Sequence, residues 1–349
     1  MRTIDADAHV LETPYTWEFM DEADRKYTPM IVAQMSGAGI AANDGRNYQK
    51  EFWISDGRLI PKDKNVGNNT PEAAREMRDV EARLKHMDEL EIDVQVLYPT
   101  FFIWPYTQKA HVQHALVKGY NRWLAEIWKK SRNRLRWVAM VSTYDLSKAR
   151  QELSFAKDNG ACGVYMRGLE ADRKPSDPYF FPLYALAEEM DLPICFHSAA
   201  GSYTHHDFFI DDSGFNKFKL STVGGCHMLV MDGVPQMFPK LRWGFVEVSA
   251  EWIPYLINDM ALRFKRRGKR LPASPLKANN MYVACQVTDD LPTILKVAGE
   301  DNLVVGTDYG HHDTSTEIEA LRLLKSDGKI PAAAADKILG VNAKALYGI

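Results

Sequence analysis

The sequence predicts a (β/α)8 TIM barrel, in which each of eight parallel strands is followed by a helix. Short apolar or β-branched runs recur eight times along the 349 residues. Polar stretches with apolar residues at three- and four-residue spacing separate these runs, as amphipathic helices require. This alternation predicts parallel strands joined by right-handed crossovers. The predicted strands are 3–10, 94–100, 135–142, 162–168, 192–198, 241–249, 281–287 and 302–308.

An open doubly wound sheet is the competing architecture for the same alternation. It would need a glycine-rich phosphate loop directly after an early strand. The run GAGIAA at 37–42 follows no convincing strand, and a lone match of this kind is weak. The barrel is therefore favoured. Its predicted helices are 71–92, 110–131, 145–160, 178–190, 218–238 and 250–268.

The segment after the first predicted strand is rich in Gly, Asn, Asp and aromatic residues. In a barrel this segment, about residues 11–70, is an elaborated first loop at the active-site mouth. We expect it to act as a lid or as a dimer surface. No linker or repeat interrupts the pattern, so residues 1–349 are expected to form a single domain.

The composition excludes some classes of partner. The net charge is −3, which leaves no basic excess for nucleic acid or an anionic membrane. No apolar run approaches the roughly 20 residues that span a bilayer, and the amino terminus has no signal-peptide core. The four cysteines lie far apart and fit the buried, reduced thiols of a cytoplasmic protein. A small-molecule substrate and a homodimer are expected.

Acidic and imidazole side chains fall at the carboxyl ends of the predicted strands, where TIM-barrel chemistry gathers. Asp7 and His9 share one face of the first strand because they are two residues apart. With His197 after the fifth strand and Asp308 after the eighth, they predict a site for Zn, Mn or Fe. Glu247, after the sixth strand, could be a fifth ligand that bridges a second ion. Each residue alone is more often a cap or a satisfied core group.

Substrate contacts are expected around the same mouth. Arg167 ends the fourth strand, where its guanidinium could bind a substrate carboxylate or form a salt bridge to a barrel-mouth acid. Tyr98, Phe101 and Trp104 belong to the aromatic stretch 98–106 and are expected to line the cavity.

Several histidines remain to be assigned. His311 and His312 follow Asp308 directly, and either could orient the substrate or act as acid and base. His205 and His206 lie in a polar stretch and fit solvated loop residues better than substrate contacts. Asp5 shares the parity of Asp7 one layer deeper, so it could support the ligands or make a structural hydrogen bond.

Ordered motifs in this chain resemble the amidohydrolase superfamily, in particular the amidohydrolase 2 branch with its aminocarboxymuconate-semialdehyde decarboxylase-like enzymes. The resemblance runs through nearly the whole chain and implies a metal-dependent enzyme on a TIM barrel. The motifs are IDADAHV (4–10), PICFH (193–197), FPKLRWGFVEVSAEWIPYLINDM (238–260), VVGTD (304–308) and DKILGVNAKALYGI (336–349).

Two positions depart from the family pattern. Many members have a His where this chain has Asp7, and many have a His where it has Glu247. In the branch's decarboxylases the second of these histidines serves as acid or base or contacts the substrate. A carboxylate beside a divalent ion stays ionised, so it accepts protons well but donates them poorly.

The leading hypothesis is therefore a metal-dependent hydrolase that cleaves an amide, ester or thioester with an activated water. The resemblance implies that Asp308 takes the proton of this water, and Glu247 could assist. The alternative is non-oxidative decarboxylation of an aromatic or unsaturated acid, in which the metal and Arg167 hold the carboxylate and His311 or His312 provides the acid. A third hypothesis, a catalytically inactive binding barrel, predicts missing ligands, and none is missing at strands 1, 5 and 8.

Overall fold

The computed structural model describes residues 2–34, 50–62 and 65–349. Eight parallel strands form a nearly closed barrel surrounded by helices; seven lie inside the predicted runs, and the fourth begins one residue before its run. The TIM-barrel prediction is confirmed. The barrel strands are β1 (Ile4–His9), β5 (Val94–Tyr98), β6 (Leu135–Ala139), β7 (Ala161–Arg167), β8 (Ile194–His197), β9 (Trp243–Val246), β10 (Met281–Cys285) and β11 (Leu303–Val305).

The barrel closes between its first and last strands at the level of the predicted ligands. The backbone N–H of His9 donates to the Tyr309 carbonyl at 2.9 Å, and that of Asp308 donates to the Asp7 carbonyl at 2.9 Å. Gly306 permits this approach, because a Cβ there would lie 2.4 Å from Cβ of Asp7. The closure brings the ends of β1 and β11 into direct contact.

Helices follow the barrel strands, and two of the predicted helices are divided. The stretch 71–92 contains two helices with a break at Met77, whose φ of 55° interrupts the first. The Asp79 side chain then accepts a bond from the Ala82 N–H at 3.1 Å and starts the second. The helices are α1 (Glu72–Arg75), α2 (Val80–Glu89), α3 (Ala110–Lys130), α4 (Ala149–Asp158), α5 (Phe181–Glu189), α6 (Tyr203–Phe208), α7 (Ser221–Met231), α8 (Val234–Met237), α9 (Trp252–Arg266), α10 (Pro275–Ala278), α11 (Leu291–Ala298), α12 (Ala320–Ser326), α13 (Ala332–Asp336) and α14 (Asn342–Tyr347).

The predicted helix 218–238 is also divided. A π-helical turn at Phe215–Leu220 leads into α7, and Gly233 with φ 74° separates α7 from α8. A second π-helical turn, Lys337–Val341, precedes α14. Short 3-10 turns complete the helical elements: Pro14–Phe19, Glu22–Tyr27, Phe101–Ile103, Leu146–Lys148 and Pro178–Phe180.

The segment after β1 contains an antiparallel sheet that the sequence pattern did not predict. Its strands are β2 (Met30–Gln34), β3 (Lys50–Ser55) and β4 (Arg58–Pro61). Arg58 joins this sheet to α6, because its guanidinium bonds to Asp207 and His206. The GAGIAA run at 37–42 lies outside the described residues.

The floor of the barrel is formed by the carboxyl-terminal helix. The Tyr347 hydroxyl donates to the Ala6 carbonyl at 2.7 Å and lies 2.8 Å from the Tyr98 hydroxyl. This contact fills the barrel interior below the predicted ligands. No helix within the described ranges has the length and apolar character needed to cross a bilayer.

Candidate metal centre and cavity

Four side chains from two barrel strands, β1 and β8, and the turn after a third, β9, meet at the carboxyl end of the barrel. Nε2 of His9 lies 3.1 Å from Nε2 of His197. Oε2 of Glu247 lies 3.4 Å from the first of these nitrogens and 2.9 Å from the second. Oδ1 of Asp7 lies 3.7 and 3.6 Å from them. All four side chains are buried.

Both histidines turn the same ring atom toward the centre of this cluster. Nδ1 of His9 is 3.0 Å from the Pro99 carbonyl, and Nδ1 of His197 is 3.2 Å from the Ser198 carbonyl. A carbonyl accepts only, so each Nδ1 carries the hydrogen and donates it. The two Nε2 atoms are then free to present lone pairs to one point.

The carboxylates add two buried atoms without hydrogen-bond partners. Oδ1 of Asp7 and Oε2 of Glu247 have none within the described part of the chain. Buried, unpaired acceptors are costly unless a cation satisfies them. Burial opposes charge on His197, yet Glu247 and Asp7 raise its pKa well above the ordinary value, so its Nε2 holds a proton that a bound metal ion would displace. The cluster therefore attracts a cation at its centre, and its imidazole and carboxylate donors fit a divalent metal ion.

The four ligands predicted from the sequence do not form one set. Asp7, His9, His197 and Glu247 offer ligand atoms within 4.8 Å of one another. Asp308 belongs instead to a second set, with His9, Glu247 and His311. Glu247 is thus common to both sets, whereas the prediction made it an optional fifth ligand and left His311 out of the metal site.

Backbone conformation at two of these residues is unusual. Glu247 and Asp308 have φ angles of 59° and 53°, in the left-handed region that side chains other than glycine rarely adopt. Glu247 directly follows β9, and Asp308 lies in the turn after β11, which ends at Val305. Strain of this kind persists where the surrounding structure enforces it and gathers at functional sites.

His311 lies against the cluster and faces the cavity. Its ring stacks on His9 with centroids 3.8 Å apart, and its Nδ1 lies 2.8 Å from Oδ1 of Asp308. Its Nε2 lies 2.9 Å from Oγ1 of Thr100, which itself donates to the Val10 carbonyl at 2.8 Å. Because the Thr100 hydroxyl donates its only proton to Val10, it must accept from His311, so Nε2 of His311 carries a hydrogen and donates it. Burial opposes the charge, but Asp308 raises the pKa of His311 to about 9.

Asp5 connects the strands beneath the cluster and is not one of its members. Its carboxylate accepts bonds from the Thr307 N–H at 2.9 Å, the Thr307 hydroxyl at 2.6 Å and the Gln95 side chain at 2.9 Å. These bonds join β1, β5 and the end of β11. Asp5 therefore holds the strands that carry Asp7 and His9.

Arg167 is buried and has its donors engaged by the protein. Its guanidinium forms a two-point ion pair with Glu170, at 2.8 and 2.7 Å. Nη1 donates to the carbonyls of Phe102 and Trp104 at 3.1 and 3.0 Å. Arg167 does not line the main cavity. Of the two roles that the sequence allowed for Arg167, substrate binding or a salt bridge within the protein, the structure has the salt bridge. Arg167 also holds the turn that carries Trp104 in place.

The cavity above the cluster has a volume of about 840 Å³. Glu247, His311 and Trp104 line it, while Tyr98 and Phe101 do not. Tyr98 lies below, with its ring centroid 5.3 Å from that of His197. Of the three aromatic residues predicted to contact the substrate, only Trp104 lines the cavity. Tyr98 and Phe101 pack outside the cavity wall.

The remaining histidines lie farther from the cluster. His312 is exposed and lines the cavity. His205 bonds to the Asn216 carbonyl at 3.1 Å. His206 is buried rather than solvated, and burial lowers its pKa to about 4.

Three residues that support the site were not predicted. Thr316 donates to Oδ2 of Asp308 at 2.6 Å, and Thr100 bonds His311 as described. Arg83 is fully buried, donates to the His9 carbonyl at 3.1 Å and lies 3.5 Å from the Tyr309 ring centroid. None of them has a local sequence signal, since their partners lie on other elements.

A family model described as Amidohydrolase matches residues 4–349. The fold is also similar to solved structures. An amidohydrolase of Mycobacterium avium subsp. paratuberculosis aligns with a TM-score of 0.77 at 20% identity over 99% of each chain. The 5-carboxyvanillate decarboxylase of Sphingomonas paucimobilis aligns with 0.69 at 19% identity, over 100% of this chain and 99% of that one.

A third similar structure contains a metal. It is the 5-carboxyvanillate decarboxylase of Novosphingobium aromaticivorans, complexed with manganese and 4-hydroxy-3-methoxy-5-nitrobenzoic acid. It aligns with a TM-score of 0.63 at 20% identity, over 78% of this chain and 81% of that one. At these identities the structural likenesses establish the fold.

Proposed function

Because the chain belongs to the amidohydrolase family whose model spans residues 4–349, we propose that it is a metal-dependent decarboxylase of an aromatic or unsaturated carboxylic acid. The single observation that carries this proposal is His311, a cavity-lining imidazole that contacts Asp308 and stacks on His9. The two solved decarboxylases with the same fold support the choice of reaction.

The preference for hydrolysis derived from the sequence depended on a missing proton donor. Glu247 stands where an imidazole acid is common in the branch, and an ionised carboxylate is a poor donor. His311, which follows β11 rather than β9, provides an imidazole that can donate a proton in place of the missing one. It donates through Nε2 to Thr100 and shares its other proton with Asp308, so it can hold a proton beside the cluster.

The proposed reaction needs one proton and releases carbon dioxide. A divalent ion held by Asp7, His9, His197 and Glu247 would supply positive charge for the substrate carboxylate and a neighbouring oxygen. The bond between the carboxyl carbon and the substrate breaks, and its electron pair stays on the substrate carbon. The His311–Asp308 pair delivers the proton to that carbon and regains one from solvent.

Apolar walls suit this chemistry because they exclude water from a developing carbanion. Ile103, Trp104, Phe218 and Trp252 are among the apolar residues that line the cavity. The rings of Trp104 and Phe218 meet edge to face, with centroids 5.3 Å apart. A flat unsaturated acid can pack against the exposed faces and edges of such rings.

Hydrolysis of an amide, ester or thioester is the second candidate. The observation that favours it is Oε2 of Glu247, a buried carboxylate oxygen without a hydrogen-bond partner among the described residues. Such an oxygen can accept a proton from an attacking water. Asp308 is the other candidate acceptor, and burial raises its pKa to about 8 although His311 opposes the shift.

The test compares both reactions on metal-loaded protein. Release of carbon dioxide is measured with hydroxylated benzoates and enoic acids, and hydrolysis with the matched amides, esters and thioesters. We expect decarboxylation, and a loss of about 10²–10⁴-fold in kcat for His311→Asn with bound metal retained. The control is His227→Gln on α7, outside the site. Hydrolysis without carbon dioxide release, abolished by Glu247→Gln, would establish the second candidate instead.

The identity of the metal, Zn, Mn or Fe, and the presence of a second ion remain proposals. The manganese in the Novosphingobium enzyme favours Mn. Two ligand sets that share His9 and Glu247 are compatible with a second ion. Metal analysis of the purified protein tests both points.

We also retain the single domain with residues 11–70 as a lid, the homodimer and the cytoplasmic location as proposals. Pro61 and Val66 line the cavity, and Val66 pairs with His311 as an isolated bridge, which supports the lid. The exposed apolar residues Phe208 and Ile210 near the mouth favour a second copy. The four cysteines are buried and unpaired, as a reducing compartment permits. Light scattering tests the assembly.

A further inference from the structure

The turn after β9, residues 247–250, carries one of the four cluster side chains in an unusual backbone conformation. Glu247 and Ser249 have φ angles of 59° and 60°, and Val248 between them is buried. Residues other than glycine pay a cost in this left-handed region, so they stay there only where neighbouring groups enforce it. If the turn relaxed, the rotation of its backbone would change the direction of the Glu247 side chain.

The direction of Glu247 depends on this turn because its carboxylate has little else to hold it. Oε2 lies 2.9 Å from Nε2 of His197 and 3.4 Å from Nε2 of His9. Within the described part of the chain, no other side chain forms a hydrogen bond or an ion pair with this carboxylate. The backbone of the turn therefore decides whether the carboxylate faces the centre of the cluster.

Asp289, in the turn between β10 and α11, binds the turn after β9 from the neighbouring strand unit. Its Oδ1 accepts from the Ser249 hydroxyl at 2.6 Å, and its Oδ2 accepts from the Ala250 N–H at 2.9 Å. Oδ2 also accepts from the Gln286 N–H of its own turn at 2.8 Å. Asp289 is buried, and hydrogen bonds to an ionised carboxylate are stronger than those between neutral groups. Asp289 is thus a buried link between two adjacent turns at the barrel mouth.

The other bonds to Ser249 come from its own side of this link. The Trp252 side chain donates to the Ser249 carbonyl at 2.7 Å, and the Glu251 N–H donates to the Ser249 hydroxyl oxygen at 3.1 Å. The Asp290 N–H also joins the two turns by donating to Oε1 of Glu251 at 2.6 Å, but Glu251 is exposed. Asp289 is therefore the group from the neighbouring unit that holds Ser249 itself.

We propose that Asp289 is a positioning residue for the metal site. By holding Ser249 and Ala250, it keeps Glu247 in the left-handed conformation that directs its carboxylate to the centre of the cluster. Asp289 is not among the residues that line the cavity, so it acts through the turn and not on the substrate. This inference rests on the proposed metal ion and is independent of the reaction that the ion assists.

The test measures binding of Co²⁺ by competition with a chelator and records the visible absorption of the bound ion, which reports the geometry of its ligands. Asp289→Ala should weaken Co²⁺ binding by about 10–100-fold, as the loss of a group that orients a ligand does, and should change the spectrum. Asp289→Asn should retain most of the affinity and the spectrum. Its amide oxygen can accept from the N–H groups of Ala250 and Gln286, while its NH₂ group donates to the Ser249 hydroxyl oxygen.

Asp290→Ala is the matched control in the same turn. It removes a carboxylate that accepts from the Thr293 N–H at the start of α11, and it should leave the affinity and the spectrum of Co²⁺ unchanged. Ser249→Ala, which removes one of the two bonds between the turns, should give a smaller loss of affinity with a change in the spectrum. It provides the test if Asp289→Ala does not fold.

Wild-type affinity and spectrum in Asp289→Ala would overturn the proposal, or in Ser249→Ala if only that variant folds. An equal loss in Asp289→Ala and Asp289→Asn would also overturn it, because the hydrogen bonds would then not be the cause. A wild-type protein that binds no divalent ion would overturn the metal site together with this inference. An effect of Asp289 on Co²⁺ binding in a protein that hydrolyses its substrate would support the inference and refute the proposed reaction alone.

Discussion

Nε2 of His9 and Nε2 of His197 lie 3.1 Å apart at the centre of a buried cluster, although both rings direct their Nδ1 to a backbone carbonyl. With both Nδ1 atoms occupied, the two Nε2 atoms face each other, and a proton or a metal cation must lie between or beside them. Oδ1 of Asp7 and Oε2 of Glu247 strengthen that requirement. The relationship between the two imidazoles is the geometric basis of the proposed metal site.

Removing one of these nitrogens should weaken metal binding. In the wild-type protein, Mn²⁺ or Zn²⁺ at about 100 times its Kd should stabilise the fold by about 2.7 kcal/mol and raise Tm. His197→Gln should lose most of the rise in Tm and most of the bound metal, measured by thermal scans and elemental analysis. The control His227→Gln should bind as wild type. An unchanged metal content in His197→Gln would remove His197 from the ligand set.

Arg167 should matter for stability because it neutralises a buried carboxylate. Arg167→Met leaves Glu170 charged and unpaired in the interior, which should cost about 3–5 kcal/mol in urea denaturation. The double variant Arg167→Met, Glu170→Met should recover much of this loss, since an apolar pair needs no partner. A variant Arg167→Met with wild-type stability and a raised KM would instead support the substrate contact predicted from the sequence.

Gly306 should be intolerant of a side chain. A Cβ at this position would lie 2.4 Å from Cβ of Asp7 and 3.0 Å from its backbone N and O, so Gly306→Ala must displace Asp7 or β11. We expect weaker metal binding and lower stability. Gly224→Ala on α7 is the matched control: nothing lies within 4 Å of its added Cβ, so it should stabilise the helix by up to about 1 kcal/mol. Equal metal affinity in both variants would contradict the close contact.

Glu12 should make stability depend on pH. Burial raises its pKa to about 7, although bonds from the backbone N–H groups of Phe101 and Thr100 oppose the shift. The folded state therefore binds the proton more tightly than the unfolded chain, and this contribution to stability falls as pH rises from about 4.5 to about 7. The loss is on the order of 3 kcal/mol at most.

Glu12→Gln cannot titrate and should lack this component. The difference in unfolding free energy between variant and wild type should shift in favour of the variant between pH 5 and pH 8. Urea denaturation in the presence of chelator measures it without interference from metal. Parallel pH curves for the two proteins would show that Glu12 keeps its ordinary pKa in the folded state.

Local patterns were sufficient to predict the barrel and several members of its cluster. Alternating runs and amphipathic spacing identify the eight barrel strands and the longer helices up to residue 268 from neighbours within a few residues, and strand parity directs Asp7 and His9 to one face. The carboxyl end of each strand then brings His197 and Glu247 to the same mouth. These features depend on the periodicity of apolar residues along each element and on the number of strand–helix units. Both can be read from the sequence.

The partners of the other side chains depended on the tertiary structure. Arg167 ends a barrel strand as predicted, but the loop after it folds back and places Glu170 against its guanidinium. The segment that carries Lys219 meets Thr314 across 95 residues of sequence. Hydrogen bonds between distant loops follow from how the loops pack, and no local period encodes them. The sequence by itself determined the barrel and which strand ends bear the candidate ligands, whereas the tertiary structure decided which side chains face the cavity and which are neutralised within the protein.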